Sequence, residues 1–365
     1  MIPPTPLPAR PLRILIVSDT WAPQVNGVVM TLRYTIRELE RMGHVVDTLL
    51  PDGFRSVPCP TYPEIRLALF VRRELERRIK AFAPDALHIA TEGPLGLAAR
   101  AHCLQSGRPF TTAYHTQFPE YVHARLRVPL AATYAWMRRF HAPAHTTMVP
   151  TPALRDRLAA RGFSRLALWS RGVDTALFRP GPHMTNGVRR PVFLYVGRLA
   201  VEKNLDAFLA LDLPGSKWVV GDGPCRADLS RRFPDARFFG ARSGQALAWY
   251  YRQADAFVFP SRTDTFGLVL LEAMASGTPV AAFPVTGPID VVRPGVSGIL
   301  DEDLRDAALR ALDLSRSDAR AHAEAFSWER ASRQFVANLY PLEVAAPSRS
   351  AVSSASPLRE ARPVT

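Results

Sequence analysis

The chain has 365 residues, of which 47% are hydrophobic, so it is long and apolar enough to bury the cores of two globular domains. A net charge of +13, carried mostly by arginine, favours anionic partners such as nucleotide phosphates, an acidic membrane surface or nucleic acid. The scattered Cys59, Cys103 and Cys225 argue against a disulfide framework or a zinc site, and the absence of a long apolar run argues against a signal peptide or a membrane span.

Short apolar runs alternate with helical patterns in the first half of the chain, after a proline-rich leader at 1–11. The pattern predicts strands at 12–18, 44–50, 64–69, 85–90, 110–113 and 146–149, and helices at 28–42, 72–82, 129–140 and 152–160. Strands that alternate with helices in this way predict an α/β fold, with a parallel sheet covered by helices on both faces.

The second half repeats this architecture after a stretch with the composition of a linker. Strands are predicted at 191–196, 217–220, 236–239, 254–259, 279–283 and 298–300, and Ser327 is a predicted N-cap for a helix that follows. We therefore expect a first domain at 12–182, a second at 183–325, a last helix within 326–344 and a disordered tail at 345–365.

The most informative stretch is 259–280, which reads as a strand end, a polar elbow, a short helix and another strand. Asp264 or Thr265 can cap this helix, whose first turn contains Gly267, and the unpaired amides there form an anion site. Asp264 and Glu272 are eight residues apart, so both carboxylates can reach the same side of the element. Taken alone, such a pair is more often a helix cap and a solvated glutamate than a binding site. The apolar neighbours of Glu272, however, indicate a buried carboxylate that needs a partner.

Other candidate residues follow predicted strands, where ligands bind in open parallel sheets. Arg198 and Lys203 can neutralise a diphosphate, although isolated cations are more often solvated. The Gly-Asp-Gly-Pro sequence at 221–224 is either a plain tight turn or the wall of a base pocket. Gly27 can let a phosphate approach a helix N-terminus, and His115 ends a strand at a position where a histidine is more often structural than catalytic.

Six motifs, in this order along the chain, resemble the retaining glycosyltransferases of family 4, which have the GT-B fold and transfer sugars from nucleotide diphosphates. The motifs lie at 18–28, 114–119, 171–174, 196–203, 221–224 and 259–280, and the resemblance extends from Leu12 to about Tyr340. It implies two Rossmann-like domains with a cleft between them, the first on the acceptor side and the second binding the nucleotide sugar. It also implies that a C-terminal helix crosses back to the first domain.

The resemblance also implies roles for individual residues. Arg198 and Lys203 would hold the donor diphosphate and stabilise the leaving group, and His115 would lie across the cleft close to the sugar; these are the implied catalytic residues. The implied donor-binding residues are Gly27, Gly221, Gly223, Asp264, Phe266, Gly267, Leu268 and Glu272. Among these, Glu272 would accept hydrogen bonds from the ribose, and Asp264 would contact sugar hydroxyls.

The family usually has glutamate where this chain has Asp264, so GDP-mannose and UDP-linked glucose, galactose or glucuronate all stay open as donors. In such enzymes the departing phosphate can take the proton of the acceptor, so neither a carboxylate nucleophile nor a metal ion is required. We expect no cofactor and no metal. The Asp-Glu-Asp sequence at 301–303 is expected to be the solvated start of a helix rather than a metal motif.

Two basic segments bear on the acceptor, because each combines arginines with apolar side chains, as interfacial helices do. For the segment at 69–80, an amphipathic helix packed on its own sheet is an equally good explanation. The segment at 123–140 follows His115, and its candidate membrane or acceptor residues are Arg125, Arg127, Trp136, Arg138 and Arg139.

We therefore expect a membrane lipid acceptor of the diacylglycerol or phosphatidylinositol type, and a cytoplasmic protein that is peripheral at the inner face of the cytoplasmic membrane. One alternative is transfer to a soluble or polyprenyl-linked sugar in cell-surface polysaccharide assembly. A nucleotide-sugar or nucleic-acid binding protein without catalysis is another, although the sequence has no recognisable nucleic-acid-binding signature. The oligomeric state stays open.

Overall fold

A computed structural model describes residues 10–22, 24, 26–59, 62–183 and 187–339. The strands of the first half are β1 (Arg13–Val17), β2 (Val45–Leu49), β3 (Ser56–Cys59), β4 (Tyr62–Ala68), β5 (Ala86–Ile89), β6 (Thr111–Ala113), β7 (Thr146–Val149) and β8 (Leu166–Leu168). Those of the second half are β9 (Val192–Val196), β10 (Ser216–Val220), β11 (Arg237–Phe238), β12 (Ala256–Phe259), β13 (Val280–Ala282) and β14 (Gly298–Leu300).

The helices lie between the strands. In the first half they are α1 (Gly27–Arg41), α2 (Arg72–Phe82), α3 (Pro94–Gln105), α4 (Phe118–Leu126), α5 (Leu130–His141) and α6 (Pro152–Ala160). In the second half they are α7 (Asp206–Leu209), α8 (Arg226–Arg232), α9 (Gly244–Gln253), α10 (Leu268–Ala275), α11 (Pro288–Val291), α12 (Leu304–Ala311), α13 (Arg316–Glu324) and α14 (Trp328–Asn338). Helices α2 and α6 have the predicted bounds, whereas α3, α4, α8, α9, α11 and α13 had not been predicted.

The first domain is built on a parallel sheet with the order β2-β1-β5-β6-β7-β8. Alternate residues of β1 point to opposite faces, so Leu15 and Val17 belong to one buried cluster and Ile14 and Ile16 to the other. The strand predicted at 64–69 exists as β4, but it pairs antiparallel with β3 and does not extend the main sheet. A short connection between two adjacent strands favours such a hairpin.

The second domain is built on a parallel sheet with the order β11-β10-β9-β12-β13-β14. The chain first adds strands to one side of β9 and then returns to the other side, where β12 pairs with β9. This reversal opens a crevice beyond the carboxyl ends of β9 and β12, which is where ligands bind in sheets of this kind. The loops that occupy the crevice are 197–203 and 260–267.

Helix α14 returns from the second domain to the first. Ser327 caps it as predicted, accepting a hydrogen bond from the backbone N–H of Arg330 at 3.1 Å, and Phe335 is buried against the first sheet. The segments around Gly172 and Trp328, where the chain passes between the domains, lie side by side. A Cβ on Gly172 would lie 2.2 Å from the backbone nitrogen of Trp328. Two Rossmann-like sheets joined in this way confirm the expected GT-B architecture.

The domain boundaries at 182/183 and 325/326 stay a prediction. The leader up to residue 9 and the tail at 345–365 lie outside the described residues. Among the helices that the structure describes, none is both long and apolar enough to cross a bilayer.

Candidate functional site

Helix α10 begins at Gly267, whose backbone is left-handed with φ 85°. A Cβ there would lie 2.9 Å from Cδ1 of Leu270, so the position requires glycine on both conformational and steric grounds. The prediction that Asp264 or Thr265 caps this helix is wrong, because Gly267 is the N-cap and makes no side-chain capping bond. The first-turn amides thus have no side-chain cap and form the anion-binding geometry that the elbow predicted.

Asp264 lies in the loop before the helix and binds Lys203, which follows β9. The Lys203 ammonium donates to both carboxylate oxygens, at 2.6 and 2.8 Å, and each side chain is 18% exposed. Burial is the largest single influence and lowers the pKa of Lys203, but the charge and hydrogen bond of Asp264, together with Tyr121 and Tyr195, outweigh it and raise the pKa above its usual value. Lys203 is therefore fully charged at neutral pH, and this cation sits at the crevice of the second sheet.

Glu272 lies within α10 and has a different partner. The Tyr251 hydroxyl donates to its Oε2 at 2.8 Å, which supplies the partner that the apolar surroundings predicted. Burial raises the pKa of Glu272 to about 7, although the Tyr251 hydrogen bond acts in the opposite direction. Asp264 precedes the helix rather than lying on it, and each carboxylate is held by its own partner; that both reach the same side of the element stays a prediction.

The remaining residues of the predicted donor site fall into two groups. Phe266 is 4% exposed and packs in the core, so it can reach the crevice only through its backbone. Gly27 begins α1 in the first domain, and a Cβ there would lie 3.9 Å from Cδ1 of Leu268 in the second. Gly27 and Leu268 therefore face each other across the two domains.

Gly221 and Gly223 pack directly against the loop that carries Arg198. A Cβ on Gly221 would lie 1.8 Å from the carbonyl oxygen of Gly197, and one on Gly223 would lie 2.4 Å from that of Leu199. The Leu199 N–H also donates to the Asp222 carbonyl at 2.9 Å. The two glycines thus allow close contact between loops, and the half-buried Arg198 has its own carbonyl fixed by the Tyr195 hydroxyl at 2.9 Å.

The first domain contacts the Asp264 loop through residues 115–121. The Gln117 side-chain amide donates to the Asp264 carbonyl at 2.9 Å, and the Thr265 hydroxyl donates to the His115 carbonyl at 2.7 Å. Tyr121 is placed to donate to the Thr263 carbonyl at 3.5 Å. These contacts bring His115 to the seam where the two domains meet.

His115 is held by a buried arginine. The Arg171 guanidinium donates to Nδ1 of His115 at 3.3 Å, and the Trp169 ring lies edge-on with ring centroids 5.5 Å apart. Burial, together with the charges of Arg171, His88 and His141, lowers the pKa of His115 well below its usual value. The imidazole is therefore neutral at physiological pH.

Four residues at the site were not singled out from the sequence. Gln117 and Arg171 lie within motifs that had been recognised, at 114–119 and 171–174, so a signal existed for them. No sequence motif pointed to Tyr121 or Tyr251. Asp19, within the motif at 18–28, has a structural role, since it accepts the backbone N–H groups of Leu95 and Gly96 at 2.7 and 3.1 Å and so caps α3.

The acceptor candidates lie on α4 and α5, the helices that follow the seam. Trp136 is 40% exposed, and Arg127 and Arg139 are exposed as well. Arg138 is exposed but turns towards the Arg161 carbonyl, to which it donates at 3.1 Å. The side chain of Arg125 lies outside the described residues.

The acidic sequence at 301–303 starts a helix, as predicted. Asp303 caps α12 by accepting the backbone N–H groups of Arg305 and Asp306 at 2.9 and 3.1 Å. Within the part of the chain that the structure describes, His, Cys, Asp and Glu side chains form no cluster of three that could hold a metal ion.

The seam can be tested without reference to function. Replacing Gln117 by leucine and Thr265 by valine removes two hydrogen bonds between the domains, each worth about 1 kcal/mol, so the equilibrium constant for closure of the domains should fall roughly 30-fold. Small-angle X-ray scattering should then show a larger radius of gyration.

The matched control removes a hydrogen bond within the second domain. The Thr278 hydroxyl donates to the Tyr251 carbonyl at 2.7 Å, so Thr278→Val should lower the melting temperature without changing the radius of gyration. An unchanged radius in the seam variant would show that these contacts do not hold the domains together.

Two family models match the chain: "Glycosyltransferase Family 4" at residues 25–177 and "Glycosyl transferases group 1" at residues 190–316. A GDP-mannose-dependent alpha-mannosyltransferase of Mycobacterium tuberculosis is 34% identical over 79% of this chain and 83% of its own. A sulfoquinovosyl transferase of Arabidopsis thaliana is 31% identical over 89% of this chain and 72% of its own. An alpha-monoglucosyldiacylglycerol synthase of Streptococcus pneumoniae is 28% identical over 85% and 80%, respectively.

Among solved structures, sucrose-phosphate synthase from Thermosynechococcus elongatus superposes with a TM-score of 0.71. The two share 22% sequence identity, and the match covers 89% of this chain and 97% of the synthase. At this identity the likeness concerns the fold.

Proposed function

Because the chain belongs to the glycosyltransferases of family 4, we propose that it transfers a hexose or hexuronate, with retention of configuration and without a metal ion, from a nucleotide diphosphate sugar to a hydroxyl of a membrane lipid. The observation that carries the donor half of this proposal is the charged Lys203 beside Asp264 at the crevice of the second sheet. A cation there, next to the uncapped amides of α10, is suited to a diphosphate.

Donor binding would exchange the partners of this ion pair. The diphosphate competes with Asp264 for the Lys203 ammonium, and the released carboxylate can accept hydrogen bonds from hydroxyls of the sugar. Arg198 adds a second cation on the same loop. Glu272 accepts hydrogen bonds from the ribose, and the Phe266 to Leu268 amides meet the phosphate.

The same arrangement favours retention without a covalent intermediate. In the donor complex Glu272 stays hydrogen-bonded to Tyr251 and the released Asp264 accepts from sugar hydroxyls, so neither carboxylate is presented as a free nucleophile. With the cations stabilising the leaving diphosphate, its departing oxygen can take the proton of the acceptor hydroxyl on the face that it leaves.

A lipid acceptor is supported by an exposed apolar patch beside the seam. Phe118 and Trp136 are 41% and 40% exposed with ring centroids 5.9 Å apart, and Leu126 is 61% exposed. Phe118 directly follows Gln117, which reaches the Asp264 loop. Exposed Arg127 and Arg139 on the same two helices add the positive charge that an anionic lipid surface attracts.

The other basic segment, α2, gives weaker support. Glu74 binds Arg77 and Arg78 at 2.6 and 2.8 Å, and Glu76 binds Arg72 at 3.0 Å, so much of its positive charge is compensated on the helix itself. Phe70, just before α2, is nevertheless 88% exposed. The lipid named in the Streptococcus relative and the GDP-mannose named in the Mycobacterium relative make diacylglycerol and GDP-mannose the first substrates to test.

The deciding experiment is a matrix of donors and acceptors, scored by the mass of the product. GDP-mannose and UDP-linked glucose, galactose and glucuronate are each incubated with diacylglycerol or phosphatidylinositol in vesicles, and with soluble and polyprenyl-linked sugars. We expect a glycosylated lipid from one donor, and faster turnover in vesicles that contain anionic lipid. Product formed only on soluble or polyprenyl-linked sugars would replace the lipid proposal by polysaccharide assembly, and hydrolysis or no product with every pair would contradict transferase activity.

A further inference from the structure

Arg171 is a buried cation at the first-domain side of the seam. It is 4% exposed, and its guanidinium forms no ion pair with a carboxylate among the residues that the structure describes. It instead donates to the carbonyls of Trp169 and Ser170, at 2.5 and 3.0 Å, and lies 4.4 Å from the centre of the Trp169 ring. Burying a guanidinium without a counter-ion is unfavourable. The remaining hydrogen bond of the Arg171 guanidinium is to His115.

That remaining contact determines the chemistry of His115. Arginine carries donors and no acceptor, so in the 3.3 Å contact Nδ1 of His115 must be the acceptor. A neutral imidazole whose Nδ1 accepts carries its proton on Nε2. The neighbouring charge of Arg171 also disfavours a second proton on the ring, which keeps the imidazole neutral.

The Nε2–H donor that results has no hydrogen-bond partner among the described residues, although the atom is buried. A buried N–H group without a partner is destabilising, and a hydrogen bond to a bound ligand can offset this. His115 lies at the seam, because its own carbonyl accepts the Thr265 hydroxyl beside Asp264. The Nε2–H group of His115 is therefore close to the loop where the proposed sugar site lies.

We propose that Arg171 is a positioning residue that holds His115 in the Nε2–H form, so that the neutral imidazole donates a hydrogen bond to a hydroxyl of the transferred sugar. This inference rests on the proposed function for the identity of the ligand, but the tautomer itself can be measured without a substrate. Lysine at position 171 would offer a compact charge whose three N–H donors share one nitrogen, whereas the planar guanidinium donates to two carbonyls and the imidazole together.

Two readouts separate this role from a purely structural one. In protein with ¹⁵N-labelled histidine, the ring-nitrogen shifts of His115, assigned by their loss in His115→Gln, should show the Nε2–H form in the wild type. In Arg171→Met, Nδ1 loses its donor, and the shifts should move towards a mixture of tautomers. The kcat/KM for the donor should fall by up to roughly 10²-fold, and Arg171→Lys should restore part of it.

The matched control is Arg316→Met in the second domain. Arg316 also donates to backbone carbonyls, those of Ala254 at 2.7 Å and Arg252 at 3.3 Å, but makes no hydrogen bond to a histidine among the described residues. The Arg316→Met variant should have a lower melting temperature, with the His115 shifts and the kcat/KM for the donor unchanged. In a His115→Gln background, Arg171→Met should lower kcat/KM for the donor much less than in the wild type, because the two residues act as one unit.

The outcomes for this inference and for the proposed function are distinguishable. Unchanged His115 shifts and unchanged kcat/KM in a folded Arg171→Met protein would overturn the positioning role. An Nδ1–H form in the wild type would overturn it as well, whatever the activity. Absence of transfer with every donor would contradict the proposed function alone, since the tautomer comparison needs no turnover.

Discussion

Replacing Lys203 by alanine is expected to lower kcat/KM for the nucleotide-sugar donor by about 10²–10³-fold, the largest effect of any single change at this site. The ammonium is the charge that both Asp264 and, in the proposed reaction, the leaving diphosphate bind. Its removal abolishes the stabilisation of the leaving group. It also leaves the Asp264 carboxylate, 18% exposed, without its counter-ion, so the protein should become less stable as well.

The loss of stability has to be separated from the loss of catalysis. Lys217 offers a control in the same domain, because its ammonium donates to the Leu209 carbonyl at 2.6 Å and to that of Leu211, away from the crevice. Lys217→Met should reduce thermal stability and retain turnover. Donor turnover at wild-type level in folded Lys203→Ala would contradict the role assigned to this cation and, with it, the placement of the diphosphate.

Replacing Glu272 by alanine is expected to weaken binding of the donor nucleotide by about 10²-fold, because it removes charge-assisted hydrogen bonds to the ribose. The effect should depend on pH. Burial raises the pKa of Glu272 to about 7, and only the ionised carboxylate accepts from two hydroxyls. Affinity for the nucleoside diphosphate should therefore increase as the pH rises from about 6 to about 8, and Glu272→Gln should abolish this increase.

Stability without a ligand should show the opposite trend for this group. The unfolded carboxyl has its ordinary value of 4.5, and the folded one is raised to about 7. Between pH 4.5 and about 7, the Glu272 carboxyl is therefore ionised in the unfolded chain but still protonated in the folded protein. The contribution of Glu272 to the free energy of unfolding therefore falls as the pH rises from about 4.5 to about 7.

Calorimetric titration of the nucleoside diphosphate across this pH range measures the first trend, and thermal unfolding measures the second. Glu324→Gln is the matched control, since this glutamate pairs with Arg320 at 2.6 Å and is 52% exposed. It should leave the pH dependence of binding intact. A pH-independent affinity in the wild type, or an unchanged pH dependence in Glu272→Gln, would exclude Glu272 as the group that binds the ribose.

Asp264 contacts both Lys203 and the first domain. Its carboxylate is fixed at 2.6 and 2.8 Å from the ammonium, while its backbone carbonyl accepts the Gln117 amide of the other domain. One residue thus connects the donor cation to the first domain. In the proposed reaction, binding of the diphosphate at Lys203 would therefore be coupled to the contact between the domains.

The sequence by itself determined the features that depend on local pattern. The alternation of strands and helices established two parallel sheets, and the helical patterns at 72–82 and 152–160 located α2 and α6. Arg198 and Lys203 could be placed beyond a strand end because such positions follow from the order of elements alone. The apolar surroundings of Glu272 were sufficient to require a buried partner.

Only the tertiary structure decided which side chains meet. Lys203 and Asp264 are 61 residues apart, and Gln117 and Asp264 are 147 apart, so no local preference specifies either contact. The first pair forms because the sheet order brings the ends of β9 and β12 together. The second forms because the two domains close on each other. The N-cap of α10 was missed for a related reason: the crowded side chains of Leu270 and Phe259, rather than the capping preference of Asp264, require glycine at 267.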